Sequence, residues 1–511
     1  NDTIGFYPAK FKNSYKHWME NIRDWCISRQ LWWGQRIPVY YLPDGDFVVA
    51  ETEEEALKLA REKTEDQNLS SENLQQEEDV LDTWFSSWLW PITVFNGINE
   101  PDNDELNYYY PTDVLVTAPD IIFFWVARMI MSGYEYKGER PFGKVYFNGM
   151  VRDKLGKKMS KSLGNSPDIF RLIDDYGADG TRFGVLISSP AGNDLLFDEK
   201  LCEQGRNFCN KIWNALKLVK SWESNGKVQD EVDETAQKRY RESINLFEHK
   251  LYATFDTLED NYQTFRISSN ITDIYRLFWE DFCSNYLEWI KPGKEEALDS
   301  ETYEKTLFFF EELLKLLHPY MPFITEEIWH QLRERSEDDC LIVAEYSESR
   351  PFEESMLHQF DKLREIITGI RNFKSQNDIK QNKAIDIQVN AESTDFYRTY
   401  EPIIQRAAGV ENLELVDQIT DSQNTVLVGK DEVQFTVEES VDLGTQLQQL
   451  EEEKTYNENF LQGVMKKLNN EGFVNNAKPE VVEKERQKKR DAEEKIRKLE
   501  ENIERLKEKS T

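Results

Sequence analysis

The chain has 511 residues, of which 39% are hydrophobic and 13% aromatic, and its formal net charge is −33. That length exceeds one hydrophobic core and predicts three or four domains, while the composition suffices for globular cores. So acidic a chain is a poor match for nucleic acid as a whole, which leaves local basic clusters as the only places for phosphate contact.

No apolar run approaches the roughly 18 residues of a membrane span. The most apolar stretch, Ile121 to Met131, is short and holds Arg128. Residues Asn1 to Lys12 are not a basic-then-apolar leader, so no secretory signal is expected. Cysteines 26, 202, 209, 283 and 340 are odd in number, scattered and without a CxxC pair. A reducing, cytoplasmic setting is the expectation. Cys202 and Cys209 share one helical face and are expected in a core. The histidines form no ligand cluster, so no metal site is expected.

In chain order, Val39 to Leu42 and Phe47 to Ala50 flank Pro43-Asp44-Gly45-Asp46, a hairpin signal. Glu53 to Lys63 predicts a surface helix, and Glu65 to Glu78 a polar loop. Val114 to Thr117 predicts a short buried strand, and Asp120 to Met131 an apolar helix. Lys144 to Phe147 predicts a second strand running into a loop at 149–164, after which Ser166-Pro167-Asp168 opens a helix. Strand, helix, strand, loop, helix is the alternation of a parallel α/β sheet, in which ligands sit beyond the carboxyl ends of strands. From Glu199 to about Ser347 apolar residues recur every three or four positions (Phe208, Ile212, Ala215, Val219; Leu313, Leu316, Leu317), an all-α bundle. Residues 355–440 predict a small α+β domain: a helix near 357–376, then strands at Ala384 to Val389, Leu413 to Val416, Thr425 to Val428 and Val433 to Val437. The end reads as a helical hairpin. Leu443, Leu447, Leu450, Leu461, Val464 and Leu468 form one seam, interrupted by Lys454 and Asn457. Gly472 is expected to stop that helix, Phe473 to Lys478 to turn the chain and Pro479 to restart it. Ala492, Ile496, Leu499, Ile503 and Leu506 form the returning seam. Roughly 29 residues at about 1.5 Å each give an arm about 40 Å long.

The most informative segment is Lys158-Met159-Ser160-Lys161-Ser162. From Arg152 to Lys161 there are five basic residues and one acidic one, Asp153, a local charge of +4 inside a chain of −33. Glycines 149, 156 and 164 let the backbone turn. Lysines supply compact charge on flexible stems, and the hydroxyls of Ser160 and Ser162 can donate to phosphate oxygens. This chemistry suits a polyphosphate whose charge grows in a transition state. The bland alternative is a solvated basic loop.

The pentapeptide resembles the KMSKS motif of class I aminoacyl-tRNA synthetases. Ile27 to Tyr41 (Ile-Ser-Arg-Gln-Leu-Trp-Trp-Gly-Gln-Arg-Ile-Pro-Val-Tyr-Tyr) is similar to the segment that follows the editing insertion in the valyl branch. Val80 to Ser87, Pro111 to Thr117, Asp120 to Met131 and His318 to Trp329 follow in the family's order. The resemblance implies a class I Rossmann-like catalytic half-domain over 1–190 and a helical anticodon-binding domain over 191–350. An α+β junction over 351–440 and a coiled-coil tRNA-binding arm over 441–511 would follow.

What the resemblance implies chemically is a two-step reaction. Valine attacks the α-phosphate of ATP, with Mg2+ expected, and the terminal adenosine of tRNA(Val) then takes the acyl group. Such chemistry relies on positioning and charge stabilisation. Lys161 and Lys158 are the implied holders of β- and γ-phosphate charge, with Met159, Ser160 and Ser162 beside them. Trp84, Ile121 and Trp125 are the implied valine pocket, and Asp120 the holder of either the substrate amino group or the ribose. The chain reads Thr117-Ala118-Pro119-Asp120 where many relatives have Thr-Gly-x-Asp, which removes a flexible glycine beside the nucleotide. Lys484, Arg486, Lys488, Lys489 and Arg490 are the implied tRNA contacts on the arm; the alternative for that arm is a hairpin that packs only on itself.

The family's HIGH motif does not occur, so the chain is expected to be a fragment that begins after the editing insertion, with an exposed apolar face on its half-domain. It is expected neither to activate valine nor to edit, and the full-length enzyme to be a monomer. The alternatives are an isoleucyl- or leucyl-type synthetase fragment and a non-catalytic tRNA-binding protein. The Gln30-Leu31-Trp32-Trp33-Gly34 run, the terminal arm and the absence of a terminal cysteine cluster favour the valyl branch.

Overall fold

The computed structural model describes residues 3–189, 192–346, 348–391, 393–419, 424–436, 443–477 and 479–509. The chain forms two compact units: residues 1–169, 185–199 and 261–269 make the first, and 170–184, 200–260 and 270–511 the second. The architecture is mixed α/β with many helices.

The first unit is built on a three-stranded parallel sheet of β1 (Gly5–Tyr7), β2 (Thr112–Thr117) and β3 (Phe142–Phe147), in the order β1-β3-β2. Central β3 buries Phe142, Val145 and Phe147 against Ile122, Val126 and Met129. β2 is only half buried, a correction to the expected buried strand: Leu115 and Thr117 face inward, whereas Val114 and Val116 are 38% and 61% exposed. Two-residue periodicity on an edge strand puts alternate valines outside. The segment expected as one helix from Asp120 is a compound. A tight turn at Pro119–Ile121 leads into a wide π-type run at Ile122–Ala127, which continues as an α-helix over Arg128–Tyr136. The extra residue per turn buries the neighbours Val126 and Ala127 together. The hairpin forms as expected, with Val39–Tyr41 antiparallel to Phe47–Val49. The expected polar loop after it contains a third short strand, Gln75–Gln76, paired to Tyr40 and Tyr41. Helix Glu53–Thr64 is N-capped by the Thr52 hydroxyl, which accepts from the Glu55 amide.

After the cationic loop, Ile169–Ile187 is two helical pieces broken at Gly177, whose φ of 78° favours glycine. Two long helices follow, Glu199–Ser224 and Glu234–Gln263. Phe208, Ile212, Ala215 and Val219 are all buried, as their spacing requires, and so are Leu313, Leu316 and Leu317 on Ser300–Leu317. Phe247, Phe282, Tyr286 and Phe309 form a ring cluster with centroids 5.0–5.7 Å apart. Next comes helix Glu354–Gln376 and a four-stranded sheet in the order 410–415, 385–390, 431–436, 425–428. Helix Thr394–Ala408 makes the parallel crossover between Ile385–Asn390 and Val410–Leu415.

Helices Leu443–Leu468 and Pro479–Lys509 pack side by side, with Leu447, Leu450, Leu499 and Ile503 in contact above Leu427. Val464, Ala492 and Asn457 are buried too, and Lys454 reaches across to Glu500 at 2.8 Å. The side chains of Leu443 and Leu506, and Lys478 as a whole, lie outside the described residues. Gly472 does not stop the helix. The break falls at Leu468, and Gly472 lies inside a short helix, Glu471–Asn476, capped by the Asn470 side chain accepting from the Phe473 amide at 3.2 Å.

Candidate functional site

The cationic loop leaves the carboxyl end of β3, and Asn148 still bonds back to the Thr117 carbonyl of β2 at 3.0 Å. Val151 and Arg152 pair in parallel with Leu195 and Leu196, which anchors the loop's entry. Asp153 then acts as the hub of a tight turn. Its carboxylate accepts from the amides of Leu155 at 3.0 Å and Lys157 at 2.8 Å and from the Asn165 side chain at 2.9 Å. The bond from Asn165, with those amides, holds its carboxyl below the usual range. Gly156, with φ 76°, makes the turn possible. Asn165 closes the loop: its carbonyl accepts from the Ser160 amide at 2.9 Å, and its amide also reaches the Lys158 carbonyl at 3.2 Å. The Ser160 and Ser162 hydroxyls lie 3.2 Å apart.

This frame divides the five cations. Arg152 is paired to Asp194, and Lys154 to Asp198 at 2.9 Å. Lys157 lies near Asp153, and Lys158 is exposed without an ion pair among the described residues. Lys161 begins a short 3-10 turn, Lys161–Leu163; its side chain lies outside the described residues. With two aspartates added, the local +4 becomes +2.

Trp84 lines a cavity of about 700 Å³ together with Trp25, Phe123, Phe124, Arg29, Asp82 and Arg128. It stacks on Phe124 at 5.8 Å. Ile121, Trp125 and Asp120 do not line that cavity. Trp125 is turned the other way, donating from its indole to the Ser87 carbonyl at 3.0 Å and packing on Trp90 at 5.9 Å. Asp120 is exposed at the start of the compound helix. Sequence reasoning passed over Arg128 as an interruption of an apolar run. It is 3% exposed, lies 3.5 Å over the Trp25 ring and donates to the Phe124 carbonyl at 3.2 Å. Burial lowers its pKa. Asp82 pairs with Arg29 and caps helix Thr83–Ser87 by accepting from the Trp84 amide at 2.8 Å. One buried carboxylate thereby fixes Trp84 at the cavity wall.

Three family models match the chain: class I tRNA synthetases of the I, L, M and V types over residues 1–198, the anticodon-binding domain of tRNA ligases over 245–389, and the tRNA-binding arm of valyl-tRNA synthetases over 442–507. Valine–tRNA ligase of Phocaeicola vulgatus is 52% identical over 508 residues, covering 99% of this chain and 57% of the relative. The enzyme of the same name from Christiangramia forsetii is 49% identical with the same coverage, and that of Chlorobaculum tepidum is 38% identical over 98% of this chain and 56% of the relative. The chain belongs to the valyl branch of the class I aminoacyl-tRNA synthetases. It spans about 57% of the length of the relatives it matches.

On this synthetase chain the basic residues of the terminal helix are mostly engaged. Arg486 and Arg490 pair with Glu483, at 3.6 and 2.8 Å, Lys488 with Glu485 at 2.7 Å and Lys489 with Glu493 at 3.7 Å. Lys484 is exposed without an ion pair among the described residues. In all four pairs the carboxylate sits three, four or seven residues away on the same helix. In the helical bundle, the structure brings together a group that no sequence motif announces: Glu326, His330 and Cys340, whose donor atoms all lie within 4.8 Å of one another. No described helix is long and apolar enough to cross a membrane.

Proposed function

We propose that this chain supplies the phosphate-holding, anticodon-binding and tRNA-arm parts of a valine–tRNA ligase that activates valine with ATP and Mg2+ and transfers it to tRNA(Val). The observation that carries the reading is the loop at 149–164. Its cations are sorted so that Lys158 has no ion pair among the described residues, in a loop that leaves the carboxyl end of a parallel strand, while Asp153 and Asn165 hold the backbone around it. Lys158 and Lys161 hold β- and γ-phosphate charge as it develops. Ser160 and Ser162 donate to phosphate oxygens, and Met159 and Asp120 flank the nucleotide. Trp84, Ile121 and Trp125 bound the valine side chain; they meet around substrate only if Trp125 turns from Ser87 toward Trp84, a lid-like adjustment of the wide π-type run.

A small apolar pocket rejects larger side chains but not an isostere that adds a hydroxyl. Valine against threonine is the standard instance of that limit. The domain limits in this reading are 1–190, 191–350, 351–440 and 441–511, the last an antiparallel coiled-coil arm lying along tRNA. The free cysteines suit a cytoplasmic setting.

The test is valine-dependent ATP–pyrophosphate exchange. The chain is assayed alone and mixed with the portion of the Phocaeicola vulgatus relative that it does not match. Exchange in the mixture that is lost in Lys158→Ala supports the proposal. Salt-dependent tRNA(Val) binding with no exchange in any mixture would leave a tRNA-binding protein instead and defeat the catalytic reading.

A further inference from the structure

We propose that Glu326, His330 and Cys340 form a binding site for a divalent cation of the zinc type, in the second unit and independent of the phosphate loop. Glu326 and His330 lie one turn apart on helix Pro322–Leu332, on one face, with His330 Nε2 3.1 Å from Glu326 Oε1. Two ligands about 2.1 Å from a tetrahedral ion are themselves roughly 3.4 Å apart, so the pair is already at coordination spacing. Cys340 arrives from a returning loop, and it is this loop that makes the arrangement a site.

The residues on both sides of Cys340 are anchored to the same helix. Before it, the Asp339 carbonyl accepts from the Trp329 indole at 3.1 Å. Arg335 stacks on Trp329 at 3.5 Å, pairs with the Asp339 carboxylate at 2.9 Å and pairs also with Glu311. After it, the Leu341 amide donates to Glu326 at 3.0 Å. Cys340 is thus held between two fixed points beside the Glu326–His330 pair. Cation binding has little ordering entropy to overcome.

The donor set decides the class of ion. One sulfur, one imidazole nitrogen and one carboxylate oxygen suit zinc or a similar borderline-soft cation, and not calcium or magnesium, which take oxygen ligands. On binding, the thiol proton leaves to solvent, and carboxylate plus thiolate balance the charge of the dication. Three protein ligands at a half-buried position leave a fourth place for water. The competing arrangement uses hydrogen bonds alone, with Cys340 donating to the Glu337 carbonyl at 3.2 Å.

The experiment uses the whole chain, stripped with a chelator and titrated with Zn2+ against a chromophoric competitor, and in parallel with Co2+ in the absorption spectrometer. One equivalent of Zn2+ is expected. Co2+ should give the strong visible bands of a four-coordinate site and a thiolate charge-transfer band. Cys340→Ser should abolish that band, and Cys340→Ser and His330→Gln should each weaken Zn2+ by more than the roughly 10–100-fold typical of losing a group behind a ligand. Cys26 and Cys209 serve as internal controls, since they remain in both variants. Zn2+ binding that is absent in the wild type, or unchanged in Cys340→Ser and His330→Gln, overturns the proposal. Circular dichroism of each variant separates lost binding from lost fold.

Discussion

Asp281 should make the helical part of this protein less stable as pH rises from about 4 to 6, and Asp281→Asn should remove that dependence. The carboxyl is 4% exposed in the wide helical run Leu277–Tyr286. Its Oδ1 lacks a hydrogen-bond partner, and Arg364 Nη1 stands 3.6 Å off, within ion-pair range but too far to donate. Burial pushes its pKa from 3.8 to about 6, against the opposing pull of Lys250 and Arg364. Below pH 4 both folded and unfolded chains hold the proton and the group costs nothing. Between 4 and 6 the unfolded chain ionises first, so stability falls. Above 6 both are ionised and the full cost stands. A shift of about two units is worth about 3 kcal/mol, reached in full near pH 7.5 and reduced to about 1 kcal/mol at pH 4.5. The asparagine variant should therefore be more stable than wild type by about 1 kcal/mol at pH 4.5 and about 3 kcal/mol at pH 7.5. Urea-dependent hydrogen exchange of the amides at 277–290 reads the opening free energy of this element without assuming that the whole chain unfolds at once. An advantage that is equal at both pH values, or a variant weaker than wild type at pH 7.5, would show that the attraction of Arg364 and Lys250 outweighs desolvation, and would refute the reasoning.

Asn165→Ala removes three loop hydrogen bonds at about 1 kcal/mol each, so pyrophosphate exchange by the reconstituted ligase should fall roughly 150-fold while the KM for valine holds; an unchanged rate excludes the latch as a positioning device. Lys374 is fully buried, and its ammonium donates to the carbonyls of Lys383 at 2.7 Å, Gly409 at 2.8 Å and Gln381 at 3.4 Å, so Lys374→Met should lower stability by about 2–4 kcal/mol in urea unfolding followed at the 385–415 strands. In tRNA binding, Lys484→Ala should reduce the slope of log affinity against log salt by about one, while Arg490→Ala, whose charge is shared with Glu483, should change it less; equal slopes for the two variants would mean that the intrahelical pairs break on binding.

What the sequence made legible was whatever is local. The hairpin at 39–49, the buried face at Phe208, Ile212, Ala215 and Val219, and the pentapeptide at 158–162 each depend on spacing within a few residues, and each is found where its period puts it. What it hid depends on partners far apart in the chain. Arg128 looked like a flaw in an apolar helix because the Trp25 ring that receives it belongs to another segment. β2 looked buried because its edge position is a property of the sheet. Of the cluster at Glu326, His330 and Cys340, the helical pair was readable at its four-residue spacing. The cysteine was not, since it is delivered by a loop whose path depends on Arg335 stacking on Trp329.

Charge shows the same division and bears most directly on function. A count of lysines and arginines marks 152–161 and 484–490 as equally attractive for phosphate, yet pairing treats them differently. On the terminal helix, carboxylates three to seven residues away engage four of the five cations. In the loop, Asp194 and Asp198 engage Arg152 and Lys154, at its entry, and leave Lys158 exposed. An anion meeting the terminal helix must compete with intrahelical pairs worth a few tenths of a kcal/mol each, a contact suited to a long polyanion that touches many points weakly. An anion meeting the loop finds charge already separated from its counter-ions and a backbone already turned, which suits a compact polyphosphate held at one point. The two basic segments therefore differ in how their charges are paired, although their cation counts match.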